Sequence, residues 1–320
     1  MVRHATFLIV ILACCTARAD GLTPFADALL WRASEETSSV WASAVSLSDS
    51  PETGPTTTFS PTDIDFDWNA GLRTGLEFQT DDSAWSAKLY WTHYVTSDRA
   101  AFTSEDQLVI PEFFSGFASG DAFLFTNAAI DWELALNTFD FEVGHELQLG
   151  DSLRLYPTLG VKGAVIRQTI RSQWSDPFLF LAATEDVDHD FRGIGPSFGM
   201  EGRWDVPRCQ NLRVIGTFSA AFMYGVWNVH DTYQRTDPQP ALDSYRAFST
   251  DLTDSQLGTL MLRYFLGCEW AWQGNVDITA RAGYELQWWA NQQRLTTFQQ
   301  LPMHGDLTLQ GLTCGIAVSF

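Results

Sequence analysis

Two short patterns in this sequence carry the residue types of catalysis. Gly195-Pro196-Ser197-Phe198-Gly199 matches G-x-S-x-G, in which a serine nucleophile is lifted on a sharp strand-to-helix turn. Asp186, Asp188, His189 and Asp190, with His230 and Asp231 further on, gather carboxylates and imidazoles that could hold a divalent cation or activate water for a surface protease. Each has a plainer reading. The serine lies in an alternating, proline-bearing stretch that reads as strand, and Gly193-x-Gly195 precedes no helix, so neither an elbow nor a dinucleotide fingerprint is expected. The acidic run reads as a solvated loop, because spacing alone fixes neither coordination nor a proton path. His93 and His145 fall on an apolar face with no serine partner beside them. No enzyme, metal or cofactor is expected.

The charges that matter more are those set at every second position of otherwise apolar stretches. Arg73, Lys88, Arg154, Lys162, Arg203, Arg213, Arg263 and Arg281 share one face with Glu77, Asp140, Glu142, Glu146, Glu201, Glu269, Asp277 and Glu285. Burying so many charges dry costs several kcal/mol each unless they are paired, so that face must be wet, salt-bridged or both. Segregated to opposite walls, they would set a transverse field across a pore.

The elements that present them are strands. From Phe66 the even positions read Phe, Trp, Ala and Leu while the odd ones read Asp, Asn, Gly and Arg. The same period of two recurs over 85–92, 139–149 and 276–288. These runs reach or exceed the 9–11 residues of a tilted membrane strand. Short turns at 80–83, 150–152, 206–211 and 273–275 alternate with long polar loops at 48–63, 97–120, 172–189, 231–255 and 294–305, the asymmetry of an outer-membrane barrel. Ten strands result, near 26–46, 64–79, 84–97, 122–149, 152–171, 190–206, 211–230, 256–272, 275–292 and 306–320, with both termini periplasmic; twelve is the alternative count. Closure leaves no strand edge open to lipid. Trp204, Trp270, Trp272, Trp288 and Trp289 cluster near strand ends, where membrane interfaces hold aromatic rings.

The chain's ends and composition agree. Residues 1–19 have a short basic head, an apolar run and an Ala17-Arg18-Ala19 cleavage site, a cleavable signal peptide that leaves a single barrel domain over 20–320. A lipoprotein box around Cys14 is the weaker reading of the same leader. The formal charge is −20, and two units more negative once Arg3 and Arg18 leave, which repels nucleic acid and favours cations. Cys209, Cys268 and Cys314 remain, an odd number without a disulfide framework; Cys209, in a turn, is the candidate for a bridge between copies. Ile316, Val318 and Phe320 alternate to a terminal aromatic residue, expected to be read by the barrel-assembly machinery.

With these features in place, the chain resembles the Legionella-type major outer membrane protein family, pore-forming barrels also found in relatives of chlamydiae. The resemblance rests on Ala28-Leu29-Leu30-Trp31-Arg32-Ala33-Ser34-Glu35-Glu36, Phe66-Asp67-Trp68 with Gly71-Leu72-Arg73, and Asn137-Thr138-Phe139-Asp140-Phe141-Glu142-Val143-Gly144. Leu153-Arg154-Leu155-Tyr156-Pro157 with Gly160, Gly193-Ile194-Gly195-Pro196, Tyr284-Glu285 with Trp288 and Asn291, and Gln310-Gly311-Leu312 extend it. It implies a porin-like or surface-antigen role and transfers no catalytic residue. The expectation is therefore an all-β, up-and-down transmembrane barrel in the outer membrane of a Gram-negative cell, passing small hydrophilic solutes or cations, alone or as a homo-oligomer. A plugged barrel serving as antigen or adhesin, or an omptin-like protease, are the alternatives.

Overall fold

The computed structural model describes residues 21–35, 40–50, 54–79, 84–103, 107–111, 125–177, 181–207, 209, 211–236, 247–274, 276–295 and 303–319. Ten antiparallel strands close on themselves in chain order: β1 (Leu22–Glu35), β4 (Asn69–Gln79), β5 (Trp85–Thr103), β7 (Asn127–His145), β9 (Leu153–Asp176), β10 (Leu181–Asp205), β11 (Leu212–Thr236), β12 (Ala247–Trp272), β13 (Asp277–Leu295) and β14 (Met303–Ser319). β14 returns to β1 with Cys314 opposite Ala28, so every barrel strand has two neighbours. A two-residue strand, β8 (Leu147–Gln148), extends the pairing of β9 beside the turn that follows β7.

The ten-strand count holds, and the boundaries change. Residues 40–50 do not continue the first strand: β2 (Val40–Ser50), β3 (Gly54–Asp63) and β6 (Leu108–Pro111) form a separate three-stranded sheet where polar loops were expected. The segments 172–189 and 231–255, also expected as loops, are largely the continuation of β9, β10, β11 and β12, which run 24 to 26 residues. At about 3.3 Å per residue such a strand is roughly 80 Å long, more than twice what a bilayer needs. The barrel therefore has a membrane band next to the turn end, where the described chain starts and finishes, and a tower beyond it at the loop end.

The outward face marks the boundary. On β9 it carries Leu153, Leu155, Leu159, Val161 and Val165, and then Arg167, Thr169, Arg171 and Gln173. On β10 it carries Trp204, Met200, Phe198 and Ile194 in the band, and then Arg192, Asp190, Asp188 and Asp186. Trp85, Trp204, Trp270 and Trp272 are exposed at the turn end, a girdle at one interface. Inside, the sequence inverts at the same height. Below it the lumen is polar. Above it Trp31, Ile130, Trp132, Leu134, Ile166, Ile170, Trp174, Phe191, Met223 and Trp227 form one buried cluster, which also takes in Trp41, Ala42 and Val109 of the small sheet. Period two is kept along the whole strand while the wet and greasy sides exchange.

Three glycines have backbone work to do. Gly258 sits at φ 87° where β12 slips register against β11, and Gly267 and Gly283 face each other across β12 and β13, where an added Cβ would strike the neighbouring backbone.

Candidate functional site

The lumen is the candidate site, and it has two layers. The layer at the turn end surrounds a cavity of about 380 Å³, lined among others by Arg73, Glu77, Lys88, Tyr90, Glu142, Glu201, Arg203, Arg213, Arg263, Glu269, Asp277, Arg281 and Glu285. Twelve of the sixteen charged residues expected on the inner face line this cavity, and Asp140, Glu146, Arg154 and Lys162 do not. They are joined chiefly to one another. Glu285 accepts two bonds from Arg73 (2.7 and 3.0 Å), one from Arg263 (2.8 Å) and one each from Gln287 (2.9 Å) and the Thr313 hydroxyl (3.2 Å). Asp27 holds Arg281 in three contacts of 2.6, 2.9 and 3.1 Å and lies 3.5 Å from Arg73.

Other links cross the lumen. Lys88 on β5 stands 3.4 Å from Glu77 and 3.7 Å from Glu201 on β10, and Arg263 on β12 donates to the Tyr90 hydroxyl on β5 (3.2 Å), which itself donates to Glu142 (2.6 Å). Arg203 pairs with Glu201 at 2.7 Å and lies over the Tyr156 ring, whose hydroxyl donates to Glu146 (2.6 Å). Arg213 bridges Asp205 and Glu269, Arg154 also reaches Asp205, and Lys162 contacts Asp140. Asp277 accepts from the Gly274 amide at its turn. Opposite signs alternate around the wall, so the transverse field of segregated walls does not form. Sequence reasoning missed Asp27, whose place at alternate spacing from Leu29 and Trp31 was the available signal.

Above this layer the lumen is filled chiefly by apolar side chains. Trp132 donates to Gln168 (2.9 Å), and Phe191 packs its ring 4.9 Å from Trp227. In place of the open lumen expected from the inner charges there is a cavity in the turn-end half. The apolar outer half was unforeseen: Trp31, Trp132, Ile166, Phe191 and Trp227 fall within the expected strands, whose apolar face was assigned to lipid, and Trp174 in an expected loop.

The catalytic patterns come apart on the strands. Asp186, Asp188 and Asp190 face outward on β10 while His189 between them points inward, and His230 faces outward while Asp231 is buried. His230 bonds Asp251 (2.6 Å), and Asp188 takes the Thr169 hydroxyl (3.2 Å). Among the described residues no group of three such side chains could hold a metal. Ser197 sits mid-strand and buried, without the elbow turn. His93 bonds Asn137 (2.9 Å), which also accepts from Trp91 (3.2 Å), and His145 stacks edge-on with Trp85. Cys209 is exposed in its turn; Cys268 and Cys314 face outward on strands separated by β13. Ile316 and Val318 lie on β14, whereas Phe320 and the leader fall outside the described residues.

His189 lies in the tower, between outward Asp188 and Asp190, and burial with the nearby Arg294 charge lowers its pKa from 6.5 to about 4. A depressed imidazole binds its proton later in the folded than in the unfolded chain, so this group's contribution is intact above pH 6.5 and is lost as pH falls towards 4. Glu35, raised by burial, works in the opposite sense, being least costly at low pH. His189→Gln is therefore expected to flatten the acid limb of an unfolding profile between pH 6.5 and 4. An unchanged limb would place the proton uptake elsewhere.

Comparison with known proteins agrees with this architecture. The model for the Legionella pneumophila major outer membrane protein precursor matches residues 19–320. No curated protein matches. Among solved structures the chain is similar to the outer membrane protease OmpT from Escherichia coli, with TM-score 0.51 and 10% identity, over 95% of this chain and 98% of that one. It matches the Pseudomonas putida toluene transporter TodX at TM-score 0.29 and 8% identity (96% and 91% covered), and a Pseudomonas aeruginosa FadL homologue at 0.27 and 8% (93% and 90%). The first likeness shows a shared barrel fold. At that identity no protease residue transfers.

Proposed function

The chain belongs to the Legionella pneumophila major outer membrane protein family, and from that membership and the filling of its lumen we propose a surface-display role: a sealed outer-membrane barrel that carries a β-tower outside the cell. One observation carries the reading. The loop-end half of the lumen is packed with wall side chains as fully buried as Trp31, Trp132, Phe191 and Trp227. A ten-stranded barrel is narrow enough for side chains to fill. In this reading the loop end faces outward, both termini are periplasmic, the leader is removed before Asp20, and the protein is not an enzyme. Outer-membrane lipid contacts the apolar band, and the assembly machinery reads β14.

Purified protein in planar bilayers is expected to show no steady conductance, and liposomes carrying it no swelling in small sugars. Steady conductance by the unmodified protein would overturn the sealed reading. It would favour the second one, a porin-like channel for small hydrophilic solutes and cations, which draws on the charged cavity at the turn end and on the family resemblance. N-terminal sequencing of the membrane form is expected to begin at Asp20. A start at Met1 would remove the leader from the account.

A further inference from the structure

One part of the seal is not made of wall side chains. In a barrel strand inward and outward residues alternate, yet Gln292, Gln293 and Arg294 are all buried, at 0%, 1% and 3% exposure. Three consecutive buried residues mean that the backbone has turned away from β12, while Gln293, Arg294 and Leu295 stay paired with Gly305, His304 and Met303 of β14. Asn291 begins the departure at φ 50°, a left-handed conformation, and the register of β13 against β14 slips between Trp289 and Gln293.

The segment then reaches strands that are not its neighbours. Trp227 on β11 donates to the Gln292 carbonyl (3.1 Å), and the Arg294 amide donates to His189 Nε2 on β10 (3.2 Å). The Arg294 guanidinium lies 3.6 Å from the Trp227 ring centroid, pairs with Asp254 and donates to Gln256 (2.6 Å). β11 is two strands and β10 three strands from β13 in the sheet order, so both contacts pass β12 rather than belonging to the wall's ladder.

The departure leaves a gap behind it. β12 and β13 pair from Trp272↔Ile278 up to Met261↔Trp289, and among the described residues the stretch of β12 above Met261 is paired with β11 alone. That edge starts at the Gly258 bulge and carries Leu257, 82% exposed. Unpaired strand edges are templates for another strand. The side-chain amides of Gln292 and Gln293, buried without a hydrogen-bond partner, are groups that such pairing would return to water.

We propose that residues 290–295 form a movable strap with two seats, one inside the lumen on Trp227 and His189 and the other on the open edge of β12. Continuing the existing register puts Asn291 opposite Thr259 and Gln293 opposite Leu257, so the second seat extends an interface already formed. Arg294 latches the inner seat through the Trp227 ring alone, since its other side-chain partners, Asp254 and Gln256, stand on β12 itself. The strap rests on the sealed reading only in that it explains one piece of the seal.

Crosslinking tests it without reference to conductance. In a full chain with Cys209, Cys268 and Cys314 changed to serine, Leu257→Cys with Gln293→Cys is expected to form a disulfide under mild oxidation, about tenfold faster when Arg294→Ala removes the latch. Gln293→Cys alone is expected to react with a polar maleimide, with the same acceleration, which gives a readout on a barrel carrying one fewer substitution. Folding of each variant is checked by its resistance to protease. A thiol at position 293 that stays unreactive with and without Arg294 would overturn the strap. Reaction with maleimide but no crosslink to position 257 would overturn the β12 seat. Conductance of the unmodified protein would bear on the seal and leave the crosslinking result standing.

Discussion

Glu285→Ala is expected to destabilise the barrel by about 3–5 kcal/mol, the cost of stripping one partner from a buried ion cluster. The site makes this the most damaging single change among the lumen charges. Glu285 is 1% exposed and is the shared acceptor of Arg73 and Arg263, while Asp27 is already occupied by Arg281. Without Glu285, two guanidinium groups face each other with one carboxylate left between three cations. Removing Arg73 instead leaves Asp27 with Arg281 and Glu285 with Arg263, two matched pairs, and is expected to cost less. The midpoint of urea unfolding in detergent micelles reads both. Equal losses for Glu285→Ala and Arg73→Ala would mean that the cluster is not counting charge, and hydration of the cavity would then have to supply the missing compensation.

That asymmetry depends on Asp27, which the sequence reading missed although it alternates with Leu29 and Trp31. The inner-face charges were legible because they interrupt clean alternation: Glu77, Lys88, Glu201 and Arg281 each sit between apolar neighbours facing lipid. Strand number was legible for the same reason, since four short turns punctuate the alternation. The tower was not. Its strands alternate as regularly, as in Ile166, Gln168 and Ile170 against Arg167, Thr169 and Arg171, but the apolar side now points inward. Around Gly163, Ala164 and Val165 both sides are small or apolar, so the exchange falls unmarked inside the stretch 152–171 that reads as one membrane strand. The solvent outside has changed from hydrocarbon to water, and the pattern reverses sign without changing period. The first long loop failed differently. Trp41, Ala42 and Val45 read as a continuation of β1 because nothing local says that a strand has changed sheets; only the packing of Trp41 on Trp174, with ring centroids 5.5 Å apart, tells them apart.

Trp174 is where that reversal can be weighed. Its ring is 1% exposed inside the tower, 5.5 Å from Trp41 of the small sheet and 6.0 Å from Phe125, and its Nε1 donates to Ser172 (3.1 Å). Trp174→Ala removes one of the largest side chains of the outer core and the stack that ties β2 to β9, for an expected loss of about 3–5 kcal/mol. Gln173, the preceding residue on the same strand, faces out, and Gln173→Ala is expected to stay within about 0.5 kcal/mol. Limited proteolysis adds a local readout: cleavage between β2 and β3 is expected to accelerate in Trp174→Ala before the membrane band becomes sensitive, because the ring anchors the sheet to the tower and has no part in the ion cluster below. If the two substitutions cost the same, the tower has no packed interior, and the wall of tryptophans cannot be what closes the lumen.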